Sequence, residues 1–180
     1  MIEIGATEEA LTLIGQETQS HQALIQLLVE AVPDPILAGC LLGKYNRAKE
    51  LGLRLEIDTE SSMKAIPEHI QREELVSIIG NLIDNALEAT LKNQKQEVRL
   101  SMTDLGNDLI FEIEDEGVGI PESEQDNIFR KGVTSKEGEG HGYGLHLVQK
   151  LLQKLGGTIL LEPGEECGSR FTVYIPKGAE

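Results

Sequence analysis

Apolar residues recur at three- and four-residue intervals through Leu24, Leu27, Leu28 and Ala31, so the chain from Glu8 to about Val32 is expected to be helical. Pro33-Asp34-Pro35 ends that helix. A second helical stretch runs from Ile36 to Leu51 and stops at Gly52, a residue suited to closing a helix. The period then changes. Leu53-Arg54-Leu55-Glu56-Ile57 alternates apolar and charged side chains, as a half-buried strand does. A long helix is expected from Pro67 to about Leu91, followed by strands at Val98–Met102 and Leu109–Ile113. From Glu116 to Gly144 glycines are frequent and apolar residues sparse, which reads as a mobile loop; an amphipathic helix follows, about Leu145 to Leu155. Gly157–Leu161 and Arg170–Ile175, joined by a turn around Pro163-Gly164, read as two closing strands. Helix pair, strand, helix, two strands, loop, helix and hairpin together predict an α/β fold: one mixed sheet with helices over a single face. No internal repeat is visible.

Composition narrows the function more than the fold. At 180 residues, 39% hydrophobic and 26% charged, the chain suits one buried core with an appendage. A formal net charge of −15 argues against nucleic acid as a partner, because affinity for a phosphate backbone rests on Lys and Arg. Any phosphate ligand must therefore be held by local features. Cys40 and Cys167 lack the spacing of a zinc site or a disulfide framework and are expected to be buried reduced thiols. No apolar run approaches the roughly 20 residues of a membrane span. The start Met1-Ile2-Glu3-Ile4 does not resemble a signal peptide, so the chain is expected to be soluble and cytoplasmic.

Three segments carry chemistry. In the long helix, Asn81, Asp84, Asn85 and Glu88 fall on the side opposite Leu75, Ile78, Ile79, Leu82 and Ile83. Asn is a poor interior helix residue. The pair Asn81 and Asn85, one turn apart, is either a solvated stripe or the wall of a cleft where Asn85 offers an oxygen to Mg²⁺. After the strand Leu109–Ile113 comes Asp115-Glu116-Gly117-Val118-Gly119, either a simple turn or a carboxylate at a pocket floor with backbone close to a flat ligand. Gly138-Glu139-Gly140-His141-Gly142-Tyr143-Gly144-Leu145 then runs into a helix, an arrangement whose N–H groups and helix dipole suit a triphosphate, with Lys131 and Lys136 as nearby cations.

The order of these segments resembles the ATP-binding fold shared by histidine kinases, Hsp90-type chaperones, type II topoisomerases and mismatch-repair ATPases, over about Leu53 to Pro176. Asn81 and Asn85 match its N box, Asp115, Gly117 and Gly119 its G1 box, and Ile128-Phe129 with Lys131-Gly132 its F box. Gly140, Gly142, Gly144 and Leu145 match its G2 box. Gly168-Ser169-Arg170-Phe171 is similar to the closing Gly-Thr-x-Phe segment, with Ser for Thr. The resemblance implies a two-layer α/β sandwich of the histidine kinase/Hsp90 type, binding ATP with Mg²⁺ on Asn85. It places Asn81 and Lys136 at the transfer itself. Asn81, Asn85, Asp115, Gly117, Gly119, Lys131, Lys136, Gly140, His141, Gly142, Tyr143, Gly144, Leu145 and Ser169 are its nucleotide contacts. Hydrolysing members usually carry a Glu base where this chain has Asn81, and an amide cannot take a proton from water at neutral pH. That difference points to a kinase.

Asp34 to Ala48 also resembles the segment that joins the dimerisation helices to the catalytic domain in citrate and C4-dicarboxylate sensor histidine kinases. The implied division is residues 1–33 as a remnant of the dimerisation helices and 34–180 as the catalytic domain, with a linking helix at 36–51. In that family the phosphoacceptor is a His followed by an acidic residue, whereas His21 precedes Gln22. The expectation is that the acceptor lies on a helix upstream of this chain. The parent protein is then expected to be a homodimer anchored at the inner membrane, acting on a response regulator.

Overall fold

In the computed structural model, residues 2–130 and 144–178 are described, with side chains from residue 7. The elements run α1 (Ile2–Ala31), α2 (Pro35–Glu50), β1 (Arg54–Ile57), α3 (Arg72–Lys92), β2 (Glu97–Thr103), β3 (Asp108–Glu114), α4 (Glu122–Gln125), α5 (Gly144–Leu155), β4 (Thr158–Pro163) and β5 (Ser169–Pro176). The strands form one sheet in the order β1-β2-β3-β5-β4. β1 is parallel to β2, and every other pair is antiparallel.

Alternation along the strands decides which face is covered. Val98, Leu100 and Met102 of β2, Leu109, Phe111 and Ile113 of β3, and Val173 and Ile175 of β5 are buried. They pack against Leu75, Ile78, Ile79, Leu82 and Ile83 of α3 and Val148 and Leu152 of α5. The opposite face carries ion pairs, Arg99 with Glu97 along β2 and Arg170 of β5 with Glu114 of β3 and Glu162 of β4. The mixed sheet with helices over one face is therefore as expected. No helix among the described residues is long and apolar enough to cross a membrane.

Two expectations need correction. The long helix does not start at Pro67. The Ile70 N–H closes a turn onto the Pro67 carbonyl at 3.2 Å, and the Arg72 guanidinium donates to the carbonyls of Ile66, Pro67 and Ile70. Those carbonyls are thereby diverted from helical bonding, and α3 begins at Arg72. Both cysteines are free but only half-buried, Cys40 on the side of α2 facing α3 and Cys167 in the β4–β5 turn.

The two N-terminal helices are anchored to different degrees. Near its C-terminal end α1 buries Leu24, Leu28 and Ala31, while Leu11, Leu13 and Ile14 are exposed. Beyond its last residue, Glu50, α2 is closed by Leu53 N–H on the Ala48 carbonyl and Gly52 N–H on the Lys49 carbonyl, a Schellman closure. At its start, Asp34 Oδ1 accepts from the Ile36 and Leu37 N–H groups and Oδ2 accepts from Arg72 Nε at 2.8 Å. Burial opposes the Asp34 charge, but the Leu37 N–H, the Arg72 guanidinium and the Ile36 N–H together hold its carboxyl below the ordinary value. Stabilisation from this carboxylate is thus present above the ordinary carboxylate range and lost as the pH falls below it. Asp34→Ala is expected to cost about 2 kcal/mol, since it removes a cap and strips Arg72 of a partner. Urea unfolding at neutral and acid pH checks this, and the difference from the parent should shrink at acid pH.

Candidate functional site

Asp115 follows directly on β3, and its N–H continues the pairing with β5 by donating to the Ser169 carbonyl at 2.9 Å. Its side chain is 5% exposed. Oδ1 accepts from the Gly117 N–H at 2.8 Å and the Ser169 N–H at 3.2 Å. Burial pushes the carboxyl up, against those two hydrogen bonds, with nearby Glu114 adding to the rise. Oδ2 has no hydrogen bond among the described residues. The result is a buried carboxylate with one oxygen fixed by backbone and one available to a ligand donor.

The glycines around it are required by space. A Cβ on Gly117 would lie 2.8 Å from the Ala89 Cβ and 2.9 Å from Asp115 Oδ1, so this loop lies directly against the end of α3. Three further bonds hold it there. Thr90 Oγ1, fully buried, accepts from the Glu116 N–H at 3.0 Å. Asn93 Nδ2 donates to the carbonyls of Glu116 at 2.9 Å and Gly117 at 3.2 Å. Thr90 and Asn93 were not singled out in the sequence, since a Thr and an Asn near a helix end also serve as ordinary caps.

Helix α3 supplies the other wall. Asn81 donates from Nδ2 to the Ser77 carbonyl at 2.6 Å. Its Oδ1 faces the start of α5, where a Cβ on Gly144 would lie 2.9 Å away. Asn85, half-buried one turn on, makes no side-chain hydrogen bond among the described residues. Leu145 packs against the core behind Gly144. Phe129 meets Phe171 edge-on at 6.5 Å, and the His146 ring nitrogen Nδ1 lies 3.2 Å from the Phe129 carbonyl. Of the sequence-predicted site, the structure thus brings Asp115, Gly117, Gly119 and Ser169 to one end of α3, and Asn81, Gly144 and Leu145 to its middle. Lys131, Lys136, Gly140, His141, Gly142 and Tyr143 lie outside the described residues.

No group of three or more His, Cys, Asp or Glu among the described residues is arranged to hold a metal ion. The Asn85 amide could offer a single hard oxygen donor, of the kind Mg²⁺ prefers. His21 lies beside Tyr45 of α2, ring centroids 6.3 Å apart, and His69 lies beside Gly178.

Residues 70–179 match the family described as histidine kinase-, DNA gyrase B-, and HSP90-like ATPase. The chain is 41% identical over 178 residues to the sensor protein CitS of Halalkalibacterium halodurans, covering 98% of this chain and 33% of that protein. It is 41% identical over 170 residues to the sensor histidine kinase CitA of Klebsiella pneumoniae, covering 93% of this chain and 31% of that one. It thus spans about a third of the length of these curated relatives. The nucleotide-free catalytic domain of histidine kinase ThkA superposes with a TM-score of 0.66 at 22% identity, over 79% of this chain and 90% of that one, a likeness of fold.

Proposed function

This chain belongs to the histidine kinase-, DNA gyrase B- and HSP90-like ATPase family, and we propose that it is the ATP-binding catalytic portion of a sensor histidine kinase. In this reading it positions Mg-ATP for transfer of the γ-phosphoryl to a histidine on a helix upstream of the chain. Asp115 Oδ2 accepts from the adenine amino group, while the glycine loop and the Ala89–Thr90 end of α3 shape the floor. The phosphates run along α3 toward Asn81 and the start of α5, where helix N–H groups favour anions. Lys131, Lys136, Gly140, His141, Gly142 and Tyr143 are assigned to the same phosphates by the family resemblance, and Ser169 to the adenine end. Mg²⁺ bound through Asn85 would neutralise phosphate charge. The transfer breaks the bond from the γ-phosphorus to the β–γ bridging oxygen and forms a bond to an imidazole nitrogen, with ADP leaving.

The observation that carries the reading is Asn81. It occupies the position of the hydrolytic base, its amide N–H is committed to the Ser77 carbonyl, and its outward atom is an oxygen with no basic lone pair at neutral pH. ATP held without a base to activate water suits transfer to a side chain. The exposed apolar positions of α1 support residues 1–33 as a remnant of dimerisation helices, in a parent that is membrane-anchored and acts on a response regulator.

The chain alone is expected to bind ATP without labelling itself, because His21 faces Tyr45 and His69 and His146 are held within the domain. Adding the upstream helix in trans, with its His followed by an acidic residue, should give acid-labile phosphate on that helix. Label on His21 of the chain alone, lost in His21→Gln, would show that the acceptor is misplaced; steady phosphate release without an acceptor would favour an ATPase. Asn85→Ala should weaken Mg-ATP by about tenfold or more and leave Mg-free nucleotide nearly unchanged, since only the metal-bridged form uses its oxygen. Calorimetric titrations with and without Mg²⁺ separate the two, and equal losses would contradict the metal role.

A further inference from the structure

Asp84 lies on α3 three residues after Asn81 and next to Asn85, which shares a stripe with Asn81 at an interval of four residues. On the nucleotide reading above, the asparagine stripe faces a polyphosphate, with Asp84 at its edge. A bare carboxylate there would oppose it, in a chain that already carries a net charge of −15. Helix α2 answers this from outside the segment that defines the family, which begins at residue 70. Lys44 reaches across to α3 and places Nζ 2.8 Å from Asp84 Oδ1 and 2.9 Å from Oδ2, in the fork of the carboxylate. On its way Lys44 passes over Gly80, where a Cβ would lie 3.4 Å from Lys44 Cε, at ordinary contact distance.

We propose that Lys44 is a positioning residue of the phosphate site, neutralising Asp84 and holding its carboxylate back so that the asparagine stripe accepts Mg-ATP. Lys44 acts through Asp84 and does not itself touch the nucleotide. The phosphate site is then a joint product of α3 and the linking helix α2. The pair borders an open groove of about 580 Å³ between α2 and α3, lined by Cys40, Arg47 and Leu87 among others. Side-chain exposures of 26% for Lys44 and 46% for Asp84 make it a partly solvated pair, of the kind that contributes little to stability. Substitution therefore tests charge more than folding.

The inference rests on the ATP reading, and the experiment separates the two. The 180-residue chain and its Lys44→Met, Lys44→Arg and Lys44→Met/Asp84→Asn variants are titrated with a non-hydrolysable ATP analogue plus Mg²⁺, and with adenosine. Lys44→Met is expected to bind the analogue about tenfold more weakly, as an unscreened charge near a polyanion predicts. Adenosine binding should be unchanged, Lys44→Arg should bind like the parent, and the double variant should regain the loss. A double variant as weak as Lys44→Met would mean that Lys44 contacts phosphate directly and would overturn the proposal. So would an equal loss for adenosine, or no loss at all while the parent binds both ligands. A parent that binds neither ligand would overturn the ATP reading and, with it, the role of Lys44.

Discussion

Asp115→Asn is expected to abolish measurable ATP binding while leaving the domain folded. The substitution keeps one carbonyl oxygen, which can go on accepting from the Gly117 and Ser169 N–H groups. The other atom becomes an NH₂, which on the proposed reading would face the adenine amino group, donor against donor in a buried pocket. Leaving such groups unpaired costs about 1–3 kcal/mol each, and two are affected, so a loss of about 100-fold or more in Kd is expected. Stability should move the other way. Because burial raises the Asp115 carboxyl, the folded state holds this proton more tightly than the unfolded chain. Its contribution is fully present below the ordinary carboxylate value and is lost as the pH rises through the folded value. At neutral pH, in the absence of nucleotide, Asn should therefore be tolerated at least as well as Asp. Calorimetry with an ATP analogue and a thermal melt of the same sample distinguish the outcomes. Unchanged affinity would remove Asp115 from the site, and a lowered melting temperature would relocate the effect to folding.

Gly168→Ala is expected to be the most destabilising single-methyl change at the site. Gly168 has φ +76°, a region disfavoured for L side chains. A Cβ there would also lie 2.6 Å from Asp115 Oδ1 and 2.8 Å from the Asp115 carbonyl carbon. Neither neighbour is the free end of a flexible side chain. One belongs to a carboxylate pinned by two N–H groups, the other to backbone whose N–H is bonded to Ser169 at 2.9 Å. Relief requires the ends of β3 and β5 to separate, at an expected cost of about 3–5 kcal/mol. Molecules that remain folded should bind ATP poorly, because the same displacement moves the Asp115 carboxylate. Urea unfolding followed by nucleotide titration in native buffer measures both effects. A midpoint equal to that of the parent would show that the turn can take up a methyl group without moving Asp115.

The core-facing positions of β2 and β3 and the apolar face of α3 were legible because burial on one side of a strand or helix imposes a period of two or of about 3.6 residues on the sequence itself. Asp115 with Gly117, and Asn81 with Asn85, stand out as candidates for a similar reason: their spacing along a single segment sets their local geometry. The start of α3 was not. Pro67 looked like a helix opening, and only the Arg72 side chain, reaching back to three carbonyls and across to Asp34, determines that a turn precedes the helix.

What the sequence determined by itself was every element except α4, the single covered face of the sheet and the residue types at the candidate site, each a matter of local period or spacing. The tertiary structure decided which segments meet. It set the order β1-β2-β3-β5-β4, Thr90 holding the Glu116 amide 26 residues away, Ser169 on Asp115 across 54, and Lys44 on Asp84 across 40. None of these pairings is written in either partner's own segment. Each depends on where packing of the common core sets one element against another, and at Gly117 it depends on the absence of a single methyl group that would have kept them apart.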